Sequence, residues 1–534
     1  MSTLLEQASL VMIPSGYKED IVYSQIPTSG AGDLSFTRAS NGTRINSAGL
    51  VEVVPWNLLL DTDTFSSWSL EGGTLTSGFT DPNGGSTAYK YVQVPGGGLY
   101  SGNIGVTADV KFAQIWIKSV SGSSLTCNIS DGAAFFGTFN VTGTWQLFTA
   151  PYTANTRIGL YLYAISNASG IYVWHPQINI GSTAKPYFPT TDRLNVPRLT
   201  YQNGGGGCPS LLLEKQSTNY FPYSQNISLW FEPDDGVTLT SNTTDTVSPD
   251  GTYNASKIAI VGGNQRSYQI TNSVSGVGTF SAYVKAGTSN TIVLYTSSAS
   301  LLIGYNLSTL AVTQTTGTGT ITSVGNGWYR ITATNTLGAS EVLQVLYTGT
   351  AGQTIYIWGF QVEASSYVTS YIFTNGASAT RVADACFKTG ISSLIGQTSG
   401  TIFVDFVWEG LGTANVDNPI FSIGEQSYGT SNIAISNYNS SLYGRVTNGT
   451  SVEAGVAFGA MTIGTRYKCA IGYASNDFVF YVNGANYGND TSVSIPALSD
   501  AYFQNAYPNS KEVNQAILFK TRLTNAELAS LTTI

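Results

Sequence analysis

A ten-residue frame that occurs twice limits what this chain can become. Gly170-Ile171-Tyr172-Val173-Trp174-His175-Pro176-Gln177-Ile178-Asn179 returns as Thr354-Ile355-Tyr356-Ile357-Trp358-Gly359-Phe360-Gln361-Val362-Glu363. Its β-branched and aromatic residues fit an extended strand, on which successive side chains point to opposite faces. The correspondence continues upstream in the same order. Trp68, the turn Asp81-Pro82-Asn83-Gly84 and Ala88-Tyr89-Lys90 answer Trp230, Ser248-Pro249-Asp250-Gly251 and Ala255-Ser256-Lys257. Ile115-Trp116-Ile117-Lys118 then answers Ala282-Tyr283-Val284-Lys285, and Gly143-Thr144-Trp145 answers Asn326-Gly327-Trp328. A repeat this long is a duplicated domain, not a short-period solenoid.

The rest of the composition agrees with strands. Only 10% of the residues are charged, and 58 are glycine, the profile of short strands joined by tight turns. At about 100 to 200 residues per domain, 534 residues correspond to three or four domains. The expected fold class is all-β, tandem jelly-roll β-sandwiches with a small N-terminal arm and very little helix. A net charge of −8 without any basic block argues against nucleic acid and against an anionic membrane surface. No apolar stretch approaches the roughly 20 residues of a membrane span, so membrane insertion is not expected.

Cys127, Cys208, Cys386 and Cys469 lie far apart without C-x-x-C spacing, so zinc or redox chemistry is not expected. One disulfide framework stays open, but free thiols fit synthesis in a reducing cytoplasm better. Met1 to Gly16 carries no basic leader, which points the same way. The N-x-S/T triplets are then a by-product of abundant Asn, Ser and Thr.

The expected order is an arm at 1–54, a jelly-roll module at 55–190, a connector hairpin at 191–216 and a second module at 217–375. A connector followed by a different sandwich fills 376–534. Too small for a core of its own, the arm is expected to pack on another chain or on the first module. The four glycines Gly204 to Gly207 precede an apolar strand rather than a helix, so they read as a tight turn and not as a phosphate cradle. In the last domain Phe480-Tyr481-Val482-Asn483-Gly484 predicts a hairpin. Leu523 to Leu531 predicts a short helix in which Thr524 and Glu527 have capping-box spacing.

The end of the chain, with its Phe-Tyr-Val-Asn-Gly strand and Leu-Thr-Asn-Ala-Glu-Leu helix, resembles concanavalin-like (laminin-G-like) jelly rolls. The repeated modules are similar to carbohydrate-binding modules. The connectors Phe36 to Arg44 with Gly49 to Glu52, Cys208 to Glu214 and Ala379 to Asp384 resemble structural proteins of phages and prophages of Bacteroidetes, including crAss-like phages. That resemblance implies a non-enzymatic virion protein, a head fibre, tail fibre or capsid decoration, made in the bacterial host cytoplasm. It also implies partners: capsid, portal or tail proteins through the arm, a second or third copy of the chain, and cell-surface glycans.

Candidate site residues are few. Alternation in Leu160-Tyr161-Leu162-Tyr163 places Tyr161 and Tyr163 on one face, where two rings could stack on sugar. Because jelly-roll modules of this type often hold a structural calcium through a terminal acidic residue, Glu363 is the candidate metal ligand, with Asn179 in its place in the first module. No other cofactor is expected. Phe135 and Phe136 are adjacent, so on a strand one must point outward. Trp116, Trp174 and Trp358 alternate with aliphatics and read as core. No catalytic residue is assigned: His175, the sole histidine, has Gly359 as its counterpart in the other copy and reads as a strand-end or interface residue. The alternatives are a glycan-binding, receptor-binding adhesin and a particle-bound glycoside hydrolase. The latter would need Asp405 and Glu409, although the E-x-D-x-x-E run of concanavalin-like glucanases is absent.

Overall fold

The computed structural model describes the whole chain except residues 1, 104–109, 154–157, 167, 231–235, 263–265, 272, 299–300, 339, 348, 413–415, 426–429 and 505. It is all-β. Among the described residues the α-helices are Ser2–Leu5 and Asn525–Thr532. The chain forms two compact units: Val53–Leu194, and Met1–Glu52 together with Asn195–Ile534.

The unit Val53–Leu194 is a sandwich of two five-stranded antiparallel sheets. One runs Phe135–Val141, Leu125–Ser130, Tyr161–Tyr163, Gly98–Tyr100, Ser69–Leu70. The other runs Gln146–Thr153, Val110–Ser119, Ile171–Ile180, Ala88–Val92, Thr74–Phe79. Alternate residues such as Leu99, Cys127, Ile129 and Leu162 from the first, and Ile115, Ile117 and Val173 from the second, fill the space between.

Within the other unit, residues from Ser217 to Glu363 build a second sandwich, of six and five strands, with its own core around Phe280, Leu294 and Ile331. Its hydrogen bonds repeat those of the first. Asn57 Nδ2 donates to the carbonyls of Pro176 and Phe188, and Asn219 Nδ2 to those of Phe360 and Ile372. Asn57 Oδ1 accepts from Leu59 and Ile178, as Asn219 Oδ1 does from Phe221 and Val362. Gln177 and Gln361 each accept from the backbone eleven residues on, at Phe188 and Ile372. The duplication is therefore carried by buried polar side chains as well as by the core.

Both copies break their closing strand at the same place. Gln114 pairs with Gln177 and Trp116 with Trp174, so His175 and Pro176 oppose Ile115 alone. Ser281 pairs with Gln361 and Tyr283 with Trp358, leaving Gly359 and Phe360 against Ala282. Each is a β-bulge whose first residue is left-handed, with φ of 49° at His175 and 63° at Gly359.

The C-terminal sandwich is completed by the beginning of the chain. The strand Ser510–Phe519 is flanked on one edge by Ser399–Gly410 and on the other by Ser210–Leu213 and Ala8–Met12. In the opposite sheet Leu34–Thr37 pairs with Ala385–Lys388. Leu10, Met12, Val22, Leu34 and Phe36 share one core with Ile402, Val404 and Phe406. Residues 1–52 are thus not the separate arm expected for 1–54. Their apolar strands find both backbone partners and a core inside this unit, which an isolated arm lacks.

The local expectations for this sandwich hold. Asn483 and Gly484 are both left-handed, as a two-residue hairpin requires. Thr524 caps the last helix, exchanging hydrogen bonds with Glu527. Gly204 to Gly207 are all left-handed, and a Cβ on Gly205 would collide with the backbone of Ser47 to Gly49.

The connectors converge on one buried ionic cluster. Asp384 accepts from Arg38 at 2.9 Å, from Arg198 at 2.5 Å and from the Glu214 backbone at 2.7 Å. Glu214 in turn pairs with Arg198 at 2.5 Å and Arg381 at 3.1 Å, and accepts from Ser370. All five charged residues are at most 3% exposed. Burial alone would raise the Glu214 carboxyl, but Arg381 and Arg198 outweigh it and hold the group down at about 2. Burial, with the repulsion of Arg198 and Arg381, brings Arg38 down to about 10 despite Asp384.

Candidate functional site

Tyr161 and Tyr163 stand together on the outer face of the first sandwich. Leu99 and Leu162 point into the core, so alternation sends Gly98, Tyr100, Tyr161 and Tyr163 outward. The rings of Tyr161 and Tyr163 stack 4.8 Å apart at 13°, and Tyr100 meets Tyr161 edge-on at 5.6 Å. Gly98 is needed here, because a Cβ at that position would enter the Tyr161 ring. The Tyr161 hydroxyl donates to Glu71 at 2.6 Å; burial and that carboxylate raise the phenol to about 12. Asn128 and Thr138 bond to each other at 2.8 Å on neighbouring strands. A half-exposed aromatic platform edged by hydroxyls and amides has the chemistry to stack on a sugar face and orient its hydroxyls.

Phe135 lies on the edge strand of the same sheet and is 58% exposed, while Phe136 packs on Tyr152 at 4.2 Å. One of the pair faces outward, as a strand demands. The tryptophans divide. Trp174 and Trp358 are buried, and their indole N–H groups donate to Thr87 and Asn254. Trp116 is only half-buried.

Glu363 is not placed to hold calcium. Its oxygens accept from Ser217, Gln361, the Thr369 hydroxyl and the Thr369 backbone, in a site with 0% exposure. Donors point their hydrogens at the carboxylate, where a cation would need lone pairs. Asn179 does the same work in the first copy, bonding Thr183 and Lys185 of the following loop. Among the described residues no cluster of three or more His, Cys, Asp or Glu is arranged for a metal.

The carboxylates named for hydrolysis are not one pair. Asp405 is occupied by Arg466, at 2.5 and 2.8 Å, and by Asn514 at 2.9 Å. Glu409 instead opens on a cavity of about 760 Å³, together with Glu512 of the adjacent strand. Thr320, Thr322 and Thr332 form part of its wall. Burial, then the charge of Glu214, raises Glu409 to about 7; burial, then Glu409 and Glu214, raises Glu512 to about 8. Sequence reasoning missed Glu512, which reads as an ordinary polar residue of an alternating strand.

His175 lines a second cavity, of about 330 Å³, with Asp63, Ser77, Ser86, Thr87 and Tyr89. Its imidazole lies between Trp174 and Tyr187, with ring centroids 3.3 and 3.6 Å away. Nε2 is 3.8 Å from Asp63 Oδ1, which accepts from the Tyr187 hydroxyl at 2.6 Å. Burial lowers the imidazole to about 4 against the pull of Asp81. At neutral pH it is uncharged. Cys127, Cys386 and Cys469 are buried free thiols and Cys208 is an exposed one, so no disulfide forms.

No protein-family model and no curated protein matches the sequence. Among solved structures, a tandem carbohydrate-binding module pair (CBM22-1-CBM22-2) of Paenibacillus barcinonensis Xyn10C shares 13% identity, covering 58% of this chain and 96% of that one, with a TM-score of 0.21. Trypanosoma rangeli sialidase shares 9% identity over 98% and 93%, with a TM-score of 0.24. A receptor binding domain shares 13% identity and a TM-score of 0.23; the match covers 28% of this chain and 39% of that domain's chain. Scores this low carry no argument about function.

Proposed function

We propose that this chain is a non-enzymatic structural protein of a phage particle surface, a head or tail fibre or decoration, that presents a glycan-contacting face. The observation that carries the glycan part is the outward platform of Tyr100, Tyr161 and Tyr163, for which Gly98 makes room. Support for the scaffold part comes from the connectors. The residues through which they resemble Bacteroidetes phage structural proteins, Arg38, Glu214, Arg381 and Asp384, are those of the buried cluster. A large unit tied by such a cluster suits a rigid displayed part. The partners proposed are capsid, portal or tail proteins, further copies as a dimer or trimer, and cell-surface glycans.

Two measurements test this. A glycan array probed with the wild type and with Tyr161→Ala/Tyr163→Ala should show binding that the double variant loses while its circular dichroism is unchanged. Equal binding by both would remove the platform from the proposal. Cryo-electron microscopy of purified particles should find this chain on the outside in symmetric copies, and its absence from particles would end the virion reading.

A hydrolase reading has one observation in its favour, the raised Glu409 and Glu512 carboxyls facing one cavity. Turnover of any glycan that Glu409→Gln and Glu512→Gln abolish would establish it.

A further inference from the structure

The two copies of the module treat their bulge differently. In the second, Gly359 is closed over: a Cβ there would lie 2.9 Å from Tyr283 and 3.3 Å from Tyr371, and Trp358 contacts Tyr371 directly at 4.6 Å. In the first, the same left-handed position carries His175, whose ring separates Trp174 from Tyr187 and borders the cavity. Glycine takes this backbone conformation without strain, whereas a side chain there is strained. The first copy therefore holds an imidazole in a strained position that its twin does without, and opens a cavity beside it.

The cavity has a definite chemistry. Both faces of the imidazole are covered by aromatic rings, so only its edge can meet a ligand. The 3.8 Å between Nε2 and Asp63 Oδ1 is too long for a direct hydrogen bond, but one hydroxyl at ordinary distances from each atom spans it. Ser77, Ser86 and Thr87 add hydroxyls to the wall, and Tyr89 adds an aromatic surface. Among the described residues no Lys or Arg lines the cavity, so none of them balances an anionic ligand. Its volume of about 330 Å³ is at the small end of ligand sites, which span roughly 300 to 1,000 Å³.

We infer that this cavity binds a single neutral sugar unit, one of whose hydroxyls bridges His175 Nε2 and Asp63. This goes beyond the tyrosine platform to a second site formed by different residues. It shares with the proposed function only the class of ligand. The imidazole, neutral above about pH 4, can serve as donor or acceptor without attracting anions.

The chain has one histidine, which makes the site directly observable. In the full chain labelled with ¹³C-histidine, the imidazole C–H resonances all come from the wall of this cavity. Methyl glycosides of glucose, galactose, mannose, xylose and N-acetylglucosamine are titrated separately to about ten times a millimolar Kd, with glucuronate as the anionic control. The expected result is a saturable shift with at least one neutral glycoside and none with glucuronate. Asp63→Asn should weaken that binding about tenfold or more, while Tyr161→Ala/Tyr163→Ala leaves it unchanged. His175→Gly, whose residue suits the backbone, should stay folded and lose the ligand-induced change in tryptophan fluorescence. No shift with any neutral sugar, or a shift that Asp63→Asn retains, overturns the inference. A shift lost in the tyrosine variant assigns the binding to the platform instead and equally overturns it.

Discussion

Asp384→Asn is the sharpest perturbation of the fold. The carboxylate lies at 0% exposure and answers two guanidinium groups and one backbone N–H, so the amide keeps the volume but removes the charge and one acceptor. Arg38, Arg198 and Arg381 would then share Glu214 as their one buried counter-charge in this cluster. Breaking a buried ion pair from one side costs about 3 to 5 kcal/mol, because the remaining charge stays desolvated. The loss should appear in urea denaturation followed by tryptophan fluorescence. Hydrogen exchange read peptide by peptide should place it in residues 1–52 and 195–534, while 53–194 keep their protection. Asp477→Asn is the control: its pair with Arg522 leaves Asp477 45% exposed, and it should cost less than about 1 kcal/mol. If Asp384→Asn cost no more than that control, the cluster would not hold the unit together and the reasoning would fail.

Three further outcomes are expected. Glu409 and Glu512 have folded values raised to about 7 and 8, so the folded state binds the extra protons. Their contribution is complete below their unfolded value and is lost as pH rises through about 7 to 8. Glu214, depressed to about 2, contributes above its unfolded value and is lost as pH falls through about 2. Thermal stability should therefore peak at mildly acidic pH, and Glu409→Gln/Glu512→Gln should flatten the alkaline decline; a wild type equally stable from pH 5 to 8 contradicts this. Gly359→Ala places a Cβ at φ 63° against Tyr283 and should cost about 1 to 3 kcal/mol in chemical denaturation. A thiol reagent should modify one cysteine, Cys208, in the native protein and all four in denaturant, as mass spectrometry would count.

Much of the fold was legible because the repeat leaves matching residues at matching places. Gln177 and Gln361 keep their role because the same backbone N–H, eleven residues on, needs the same acceptor. The capping box and the Asn-Gly hairpin were legible because each is fixed by a few neighbouring residues. Pairing of Ala8–Met12 with Ser510–Phe519 was not, since strand partners about 500 residues apart carry no local mark. The connectors were visible as motifs, but nothing local in them marks Arg38, Glu214, Arg381 and Asp384 as partners of one another. At the candidate site, alternation alone placed Tyr161 and Tyr163. It could not show that Glu363 has four donors around it. Nor could it show that His175 sits in a left-handed bulge, although glycine in its place in the other copy was a readable sign.

The placement of Ala8–Met12 beside Ser510–Phe519 also sets an order of assembly. On a ribosome the first strands emerge long before the strands that cover them. The paired sheets within 69–180 and within 237–363 contain all their own strands and can close while synthesis continues. The C-terminal sandwich cannot close until Ser510–Phe519 has appeared, so Ala8–Met12 waits with apolar faces and unpaired edges exposed. A nascent chain stalled before residue 510 would be the aggregation-prone form, and a chaperone that shields strand edges would act at the beginning of this sequence.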